Sequence, residues 1–244
     1  MTRVLVLQSD VLSHAALVGD RLAARGVELL VRRTDLGDPV TDEDRAADGL
    51  IVLGGPQSVL DDKHAGMMNG MAGLVRHFHD SERPVLGVCL GIQVIAAAFG
   101  APVSRARELQ FGFLPIRFSD AAKDDPLLRA HHPERRAFCW HEDCAALPDG
   151  AVHLAATDEI PNYGFRIGRT TYGFQCHFEV TRDSLGRMLD RGRHFVPKNL
   201  GARGARMIAE IDSDIDAHLE GANAFGAALT DAWADLLSGQ ASQA

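Results

Sequence analysis

Short apolar runs alternate with amphipathic stretches through the first hundred residues. Residues 3–8, 27–32, 49–53 and 85–88 are compact and apolar, bounded by turn or polar residues, and predict buried strands. Between them, 12–25 and 67–79 carry apolar side chains at helical spacing. The first stops at Gly26, and the second sets Met, Leu, Val and Phe along one side, the pattern of a packed helix. Residues 35–48 are acidic, contain Pro39, and predict loop with a short helical piece. Residues 90–99 are helical in composition and end at Gly100. Strands alternating with helices imply a mostly parallel sheet wound on both faces, an α/β fold.

Beyond Gly100 the pattern changes. Residues 109–118, 137–140, 152–156, 163–167 and 171–178 are short strands split by turns. They leave two arrangements open, an antiparallel edge on the parallel sheet or a small antiparallel sheet beside it. The chain then turns helical: 181–191, a loop at 195–203 around Pro197 and Gly201, helices at 206–219 and 224–237, and a frayed tail from 238 to 244. No repeat, low-complexity tract or interdomain linker interrupts it.

Composition narrows the classes without changing this outline. With 244 residues, 46% of them hydrophobic and 24% charged, the chain can bury a core of its own. A net charge of −8 argues against a nucleic-acid surface. No apolar run approaches a membrane span, and the N-terminus enters a strand without a signal peptide. Four cysteines in so long a chain are no disulfide scaffold, so a reducing cytoplasm is the expected compartment.

Chemistry concentrates where the fourth strand meets its helix. Gly87-Val-Cys89-Leu-Gly91 leaves no residues for a loop, so the chain must turn at Cys89 itself, with glycines allowing close backbone approach. This is a nucleophile elbow with cysteine at its tip. A thiol there feels the positive end of a helix, which favours thiolate, and the N–H of Leu90 points toward whatever Cys89 attacks. In Tyr172-Gly-Phe-Gln-Cys-His-Phe-Glu-Val-Thr181, strand alternation sets Gln175, His177 and Glu179 on one face and Cys176 on the other. His177 as base and Glu179 as its orienting acid are the types a cysteine nucleophile needs. Gly54-Gly55-Pro56, after a buried strand, can supply a second oxyanion donor from Gly55. Taken singly, each stretch also has a plain structural reading, as a tight turn or a buried histidine.

In this order, strand-Gly-Gly-Pro, Pro84-Val-Leu-Gly-Val-Cys-Leu-Gly-Ile-Gln93 and Gly173-Phe-Gln-Cys-His-Phe-Glu179 resemble the class I, triad-type glutamine amidotransferases. Glu108-Leu-Gln-Phe-Gly112, Trp140-His-Glu-Asp143, Ala146-Leu-Pro-Asp-Gly150 and Leu154-Ala-Ala-Thr157 look like landmarks of the GMP-synthetase-like, stand-alone branch. The resemblance implies a flavodoxin-like amidotransferase fold, with residues 1–185 as the amidotransferase domain and 186–244 as a helical extension packed on it. It implies Cys89 as nucleophile, His177 as base, Glu179 as its acid, and Gly55 and Leu90 as oxyanion donors. Gln93, Phe111, Gly112 and Asp143, the last with Glu142, would hold the substrate. Neither a metal nor an organic cofactor is implied. The substrate would be glutamine or a γ-glutamyl small molecule, and a synthetase subunit is the partner the family admits.

Two departures qualify the likeness. Phe178 stands where the family has proline between histidine and glutamate, and Trp140 stands where GMP synthetases have serine. The chain also shows no P-loop-like ATP pyrophosphatase motif. The readings that follow are a glutaminase-type hydrolase, a stand-alone γ-glutamyl-peptide or γ-glutamylamine hydrolase, and a silent regulatory protein on the same fold. A redox sensor of the DJ type would use an elbow cysteine without the His-x-Glu stretch. Cys139, His141, Cys144 and Cys176-His177 carry zinc-ligand chemistry but are irregularly spaced. Arg32-Arg33, 191–193 and His131-His132 suit solvated surface, and Arg203 and Arg206 suit ion pairs with the acidic 212–216 region.

Overall fold

The computed structural model describes residues 1–131 and 134–238. Its strands are β1 (Arg3–Gln8), β2 (Glu28–Arg33), β3 (Gly49–Val52), β4 (Val85–Val88), β5 (Val103–Phe118), β6 (Glu134–Ala145), β7 (Val152–Ala156), β8 (Gly164–Ile167) and β9 (Thr171–Phe174). Its helices are α1 (Ala16–Ala24), α2 (Asp42–Arg45), α3 (Ala65–Asp80), α4 (Leu90–Ala98) and α5 (Arg182–Leu237). One sheet holds all nine strands in the order β2-β1-β3-β4-β9-β8-β7-β5-β6. The first five run parallel, while β8, β7, β5 and β6 pair antiparallel. Of the two arrangements left open, the antiparallel strands therefore continue the parallel sheet.

Alternation along the central strands divides the core. Val4 and Val6 of β1, Ile51 of β3, and Leu86 and Val88 of β4 face α1 and the end of α5, through Val18, Leu22, Phe225, Leu229 and Trp233. Leu5, Leu7, Leu50, Val52 and Val85 face α3 and α4, through Met71, Leu74, Phe78, Ile92 and Ile95. Both faces of the parallel strands are covered, which is why they read as continuous apolar runs. Ion pairs from Arg21 to Asp231 and from Arg25 to Asp235 tie α1 to α5.

Four expectations need correction. The 195–203 segment is helical except at Gly201, whose φ of 56° and ψ of −134° break α5 once. The helix runs on through Pro197, which only withholds one backbone donor, and through Gly221, so no boundary falls near 220. The strand expected over 171–178 ends at Phe174, because β4, its parallel neighbour, there turns into the elbow. Beyond it the chain stays pinned by Gln175 N to Tyr163 O and His177 N to Phe138 O. The acidic 212–216 region pairs with other arginines: Asp212 with Arg193 and Asp216 with Arg182, while Arg203 pairs with Glu108. His132, Pro133 and the tail from 239 lie outside the described residues.

Candidate active site

The elbow is built as its spacing predicts. Cys89 has φ 53° and ψ −102°, a left-handed conformation that costs a non-glycine residue on the order of 1–3 kcal/mol. Its neighbours leave it no alternative. A Cβ at Gly91 would overlap the Val52 carbonyl, and one at Gly87 would stand 2.7 Å from the Gly91 carbonyl carbon. Cys89 N donates to Phe174 O at 2.9 Å, fixing the tip against β9. Gly54, given no role from the sequence, makes room for the imidazole: a Cβ there would meet His177 Cε1 at 3.0 Å and Cys89 Cβ at 3.4 Å.

His177 and Glu179 are both buried, and His177 Nδ1 lies 2.7 Å from Glu179 Oε1. The Glu179 carbonyl accepts from Leu17 N at the start of α1 (2.9 Å), holding the acid from behind. Burial by itself would lower the imidazole's pKa. The charge of Glu179, the neighbouring Cys89 and hydrogen bonds to both outweigh it and hold His177 well above its usual range. With Nδ1 turned to Glu179, Nε2 is the ring nitrogen left for Cys89, whose Sγ here donates to Trp140 O at 3.7 Å. Phe178 does not loosen this arrangement. Its ring is buried against Phe174 and Phe225, anchoring α5 at the position where the family has proline.

Cys89, Leu90, Gly55, His177, Gln93 and Asp143 all line one cavity of about 340 Å³. Phe111 and Gly112 do not line it. Phe111 is buried edge-on against Phe138 and Trp140, and reaches the cavity only through the Trp140 ring. Gln93 spends its amide on the chain, donating to Asp143 O at 3.1 Å and to Gln175 Oε1 at 3.4 Å. It thereby sets the position of Asp143.

The wall opposite the elbow holds residues that sequence reasoning had set aside. His141 Nδ1 lies 2.9 Å from Asp143 O and Nε2 lies 2.7 Å from Tyr163 Oη. A carbonyl only accepts, so Nδ1 carries the proton and Nε2 takes Tyr163's hydroxyl hydrogen. Burial pushes the His141 pKa down to about 4, keeping it neutral. Ser58 Oγ donates to Asp143 Oδ2 at 2.5 Å. Arg191, expected on a solvated face, lines the cavity beside Asp10, as do Met188 and Phe195 of α5. Alternation on β6 links His141 to Asp143, but nothing in the sequence announces Ser58 or the α5 residues. Among the described residues no three His, Cys, Asp or Glu side chains converge as metal ligands, and no helix is long and apolar enough to cross a membrane.

The model of the family described as glutamine amidotransferase class-I matches residues 10–191. The chain is 30% identical over 190 residues to the glutamine amidotransferase-like protein YfeJ of Salmonella typhimurium, covering 77% of this chain and 80% of that one. It is 31% identical over 144 residues to one subunit of the glutamine-hydrolysing GMP synthase of Methanosarcina mazei, covering 58% of this chain and 69% of that subunit. Against the GMP synthase of Xylella fastidiosa, 32% identical over 177 residues, it covers 71% of itself but 32% of that protein. Among solved structures, a glutamine amidotransferase of Methylobacillus flagellatus superposes with a TM-score of 0.83 at 24% identity, over 97% of this chain and 95% of the other. One from Thermotoga maritima gives 0.79 at 21% identity, over 99% of both chains. At such identities the likeness is one of fold.

Proposed function

This chain belongs to the class-I glutamine amidotransferase family, and from that membership we propose that it hydrolyses the γ-amide of glutamine through a γ-glutamyl thioester on Cys89. The observation that carries the reading is the elbow cysteine and a buried histidine meeting over Gly54, with that histidine 2.7 Å from a buried glutamate. Cys89 passes its thiol proton to His177, its Sγ attacks the side-chain carbonyl carbon, and the backbone N–H groups of Gly55 and Leu90 receive the oxyanion. His177 gives its proton to the departing nitrogen, and ammonia leaves as the thioester forms. Water then attacks the thioester, His177 takes its proton, and glutamate departs as Sγ is released. Glu179 stabilises the imidazolium in both halves of the cycle. Residues 1–185 form the amidotransferase domain in this reading, and 186–244 extend it. The four free thiols suit a reducing cytoplasm. Because one relative is itself a separate subunit of a GMP synthase, the natural partner is a synthetase subunit.

A second reading rests on the apolar part of the cavity lining. Trp140, Phe195, Met188 and Leu12 line the cavity, more apolar surface than ammonia requires. That surface favours a γ-glutamyl amine or peptide as substrate, hydrolysed by the chain alone. A diazo-ketone analogue of glutamine separates active from silent versions. It should label Cys89, and Cys89→Ala should abolish both labelling and hydrolysis. Adducts on Cys139, Cys144 or Cys176 would refute the assignment. Comparing kcat/KM for glutamine and a γ-glutamyl dipeptide, without partners, decides between the two readings.

A further inference from the structure

Two charged groups in the cavity have hydrogen-bonding capacity left unspent. Asp143 is only 6% exposed; Ser58 occupies its Oδ2, and its Oδ1 is buried with no hydrogen-bond donor. Arg105 Nη1 stands 3.0 Å from that Oδ1 and 3.6 Å from Glu142 Oε2, in ion-pair range but off the hydrogen-bond axis. The Arg105 side chain is 61% exposed on the cavity wall, and its guanidinium makes no hydrogen bond to another described residue. A buried carboxylate oxygen held only by an off-axis ion pair leaves a place for a better-aligned donor, and the exposed guanidinium can turn its other N–H groups to a new partner.

We propose that Arg105 is the clamp for the substrate's α-carboxylate, acting beside Asp143, which the family resemblance already assigns to the substrate. This rests on the glutamyl chemistry proposed above. The α-ammonium takes Asp143 Oδ1, and Arg105, displaced from it, turns its fork onto the adjacent α-carboxylate. A guanidinium suits that partner because two parallel N–H groups match two carboxylate oxygens. The reach is right. Gln93 lies four residues past Cys89, about 6 Å along α4, and its amide holds the Asp143 carbonyl. The three carbon–carbon bonds between the δ-carbonyl and the α-carbon span about 4 Å when extended. Arg105 stands directly opposite Asp143, the last pair before the β5–β6 register shifts between Arg105 and Gln110. Opposite residues of an antiparallel pair share a face, and the exposed Arg105 side chain has room to turn.

The test is calorimetric and independent of turnover. In the Cys89→Ala protein, L-glutamine is compared with 4-aminobutanamide, which has the same amide and ammonium but no α-carboxylate. Arg105→Gln should weaken glutamine about 10- to 100-fold and leave 4-aminobutanamide within about twofold, while Arg105→Lys restores part of the loss. Equal weakening of both ligands would mean that Arg105 only props Asp143, and no change, or no binding of either ligand at millimolar concentration, overturns the clamp outright. Hydrolysis by the chain with Cys89 intact is scored separately. Arg105-dependent discrimination without hydrolysis sinks the amidase reading and keeps the clamp, whereas hydrolysis with an Arg105-independent KM does the reverse.

Discussion

Past the ends of the parallel strands, Cys89, Gly55 and His177 are set by backbone, His177 through its N–H to Phe138 O of β6. Cys89 sits between two glycines that cannot carry a Cβ, and its N–H is tied to Phe174 O. On the antiparallel half, Asp143 is paired opposite Arg105 in the β5–β6 ladder, but its polar groups are held by side chains: Gln93 and His141 on its carbonyl, Ser58 and Arg105 on its carboxylate. Chemistry that must align within tenths of an ångström stands on the stiffer frame. Recognition, which has to admit and release a substrate, stands on contacts that can exchange. Breaking each frame should therefore have a different signature.

The largest effect falls on the backbone frame. Gly91→Ala drives a Cβ into the Val52 carbonyl, so β3 and α4 cannot both keep their places. The expected outcome is loss of the folded state, or at least the loss of Cys89 labelling, seen in urea melts and adduct mass spectra. Gly221→Ala, in open space on the helical second limb of α5, is the control and should gain about 0.4–1 kcal/mol. If Gly91→Ala behaves like the control, the close approach of α4 to β3 is not what holds the elbow.

That same division explains what was legible beforehand. An elbow needs glycine at fixed offsets, and the His177–Glu179 pair is separated by two positions of extended chain, so both write themselves into local sequence. The wall around Asp143 draws Ser58 from 85 residues away and Arg191 from α5, and distances of that kind leave no local mark. The error at β9 has a related cause. Alternation continues through Glu179, so the segment reads as strand, but its parallel partner has already turned away into α4. At Gly201 and Pro197 the turn residues suggested a loop, and packing carried the helix through all but one residue.

Phe178 joins the two frames, and removing it comes next in size. Phe178→Ala leaves a hole between Phe174 and Phe225 and should cost about 3–5 kcal/mol of stability. Because the His177–Glu179 contact is made by neighbouring residues and held by Leu17 N and Phe138 O, kcat measured well below the melting temperature should stay within a few-fold of wild type. A collapse of kcat with little loss of stability would show that the ring, and not the backbone, orients the histidine.

The smallest effect separates the frames by pH. His141 has a folded pKa of about 4, against an unfolded value of about 6.5. Between those values the unfolded chain binds a proton that the folded chain refuses, so stability rises with pH across the window. On going from pH 7 down to pH 4, this group alone removes about 3 kcal/mol. His177 acts in the opposite sense and elsewhere. Its pKa is raised, so its stabilising share is complete below about 6.5 and is lost only as pH climbs through the higher folded value. His141→Gln keeps a donor for the Asp143 carbonyl and an acceptor for the Tyr163 hydroxyl but cannot titrate. Relative to wild type, it should gain about 3 kcal/mol between pH 7 and pH 4, read from urea midpoints at matched pH. Parallel pH profiles for the two proteins would mean that His141 gains a proton without unfolding the wall. Asp143 would then be held by Gln93, Ser58 and Arg105 without His141.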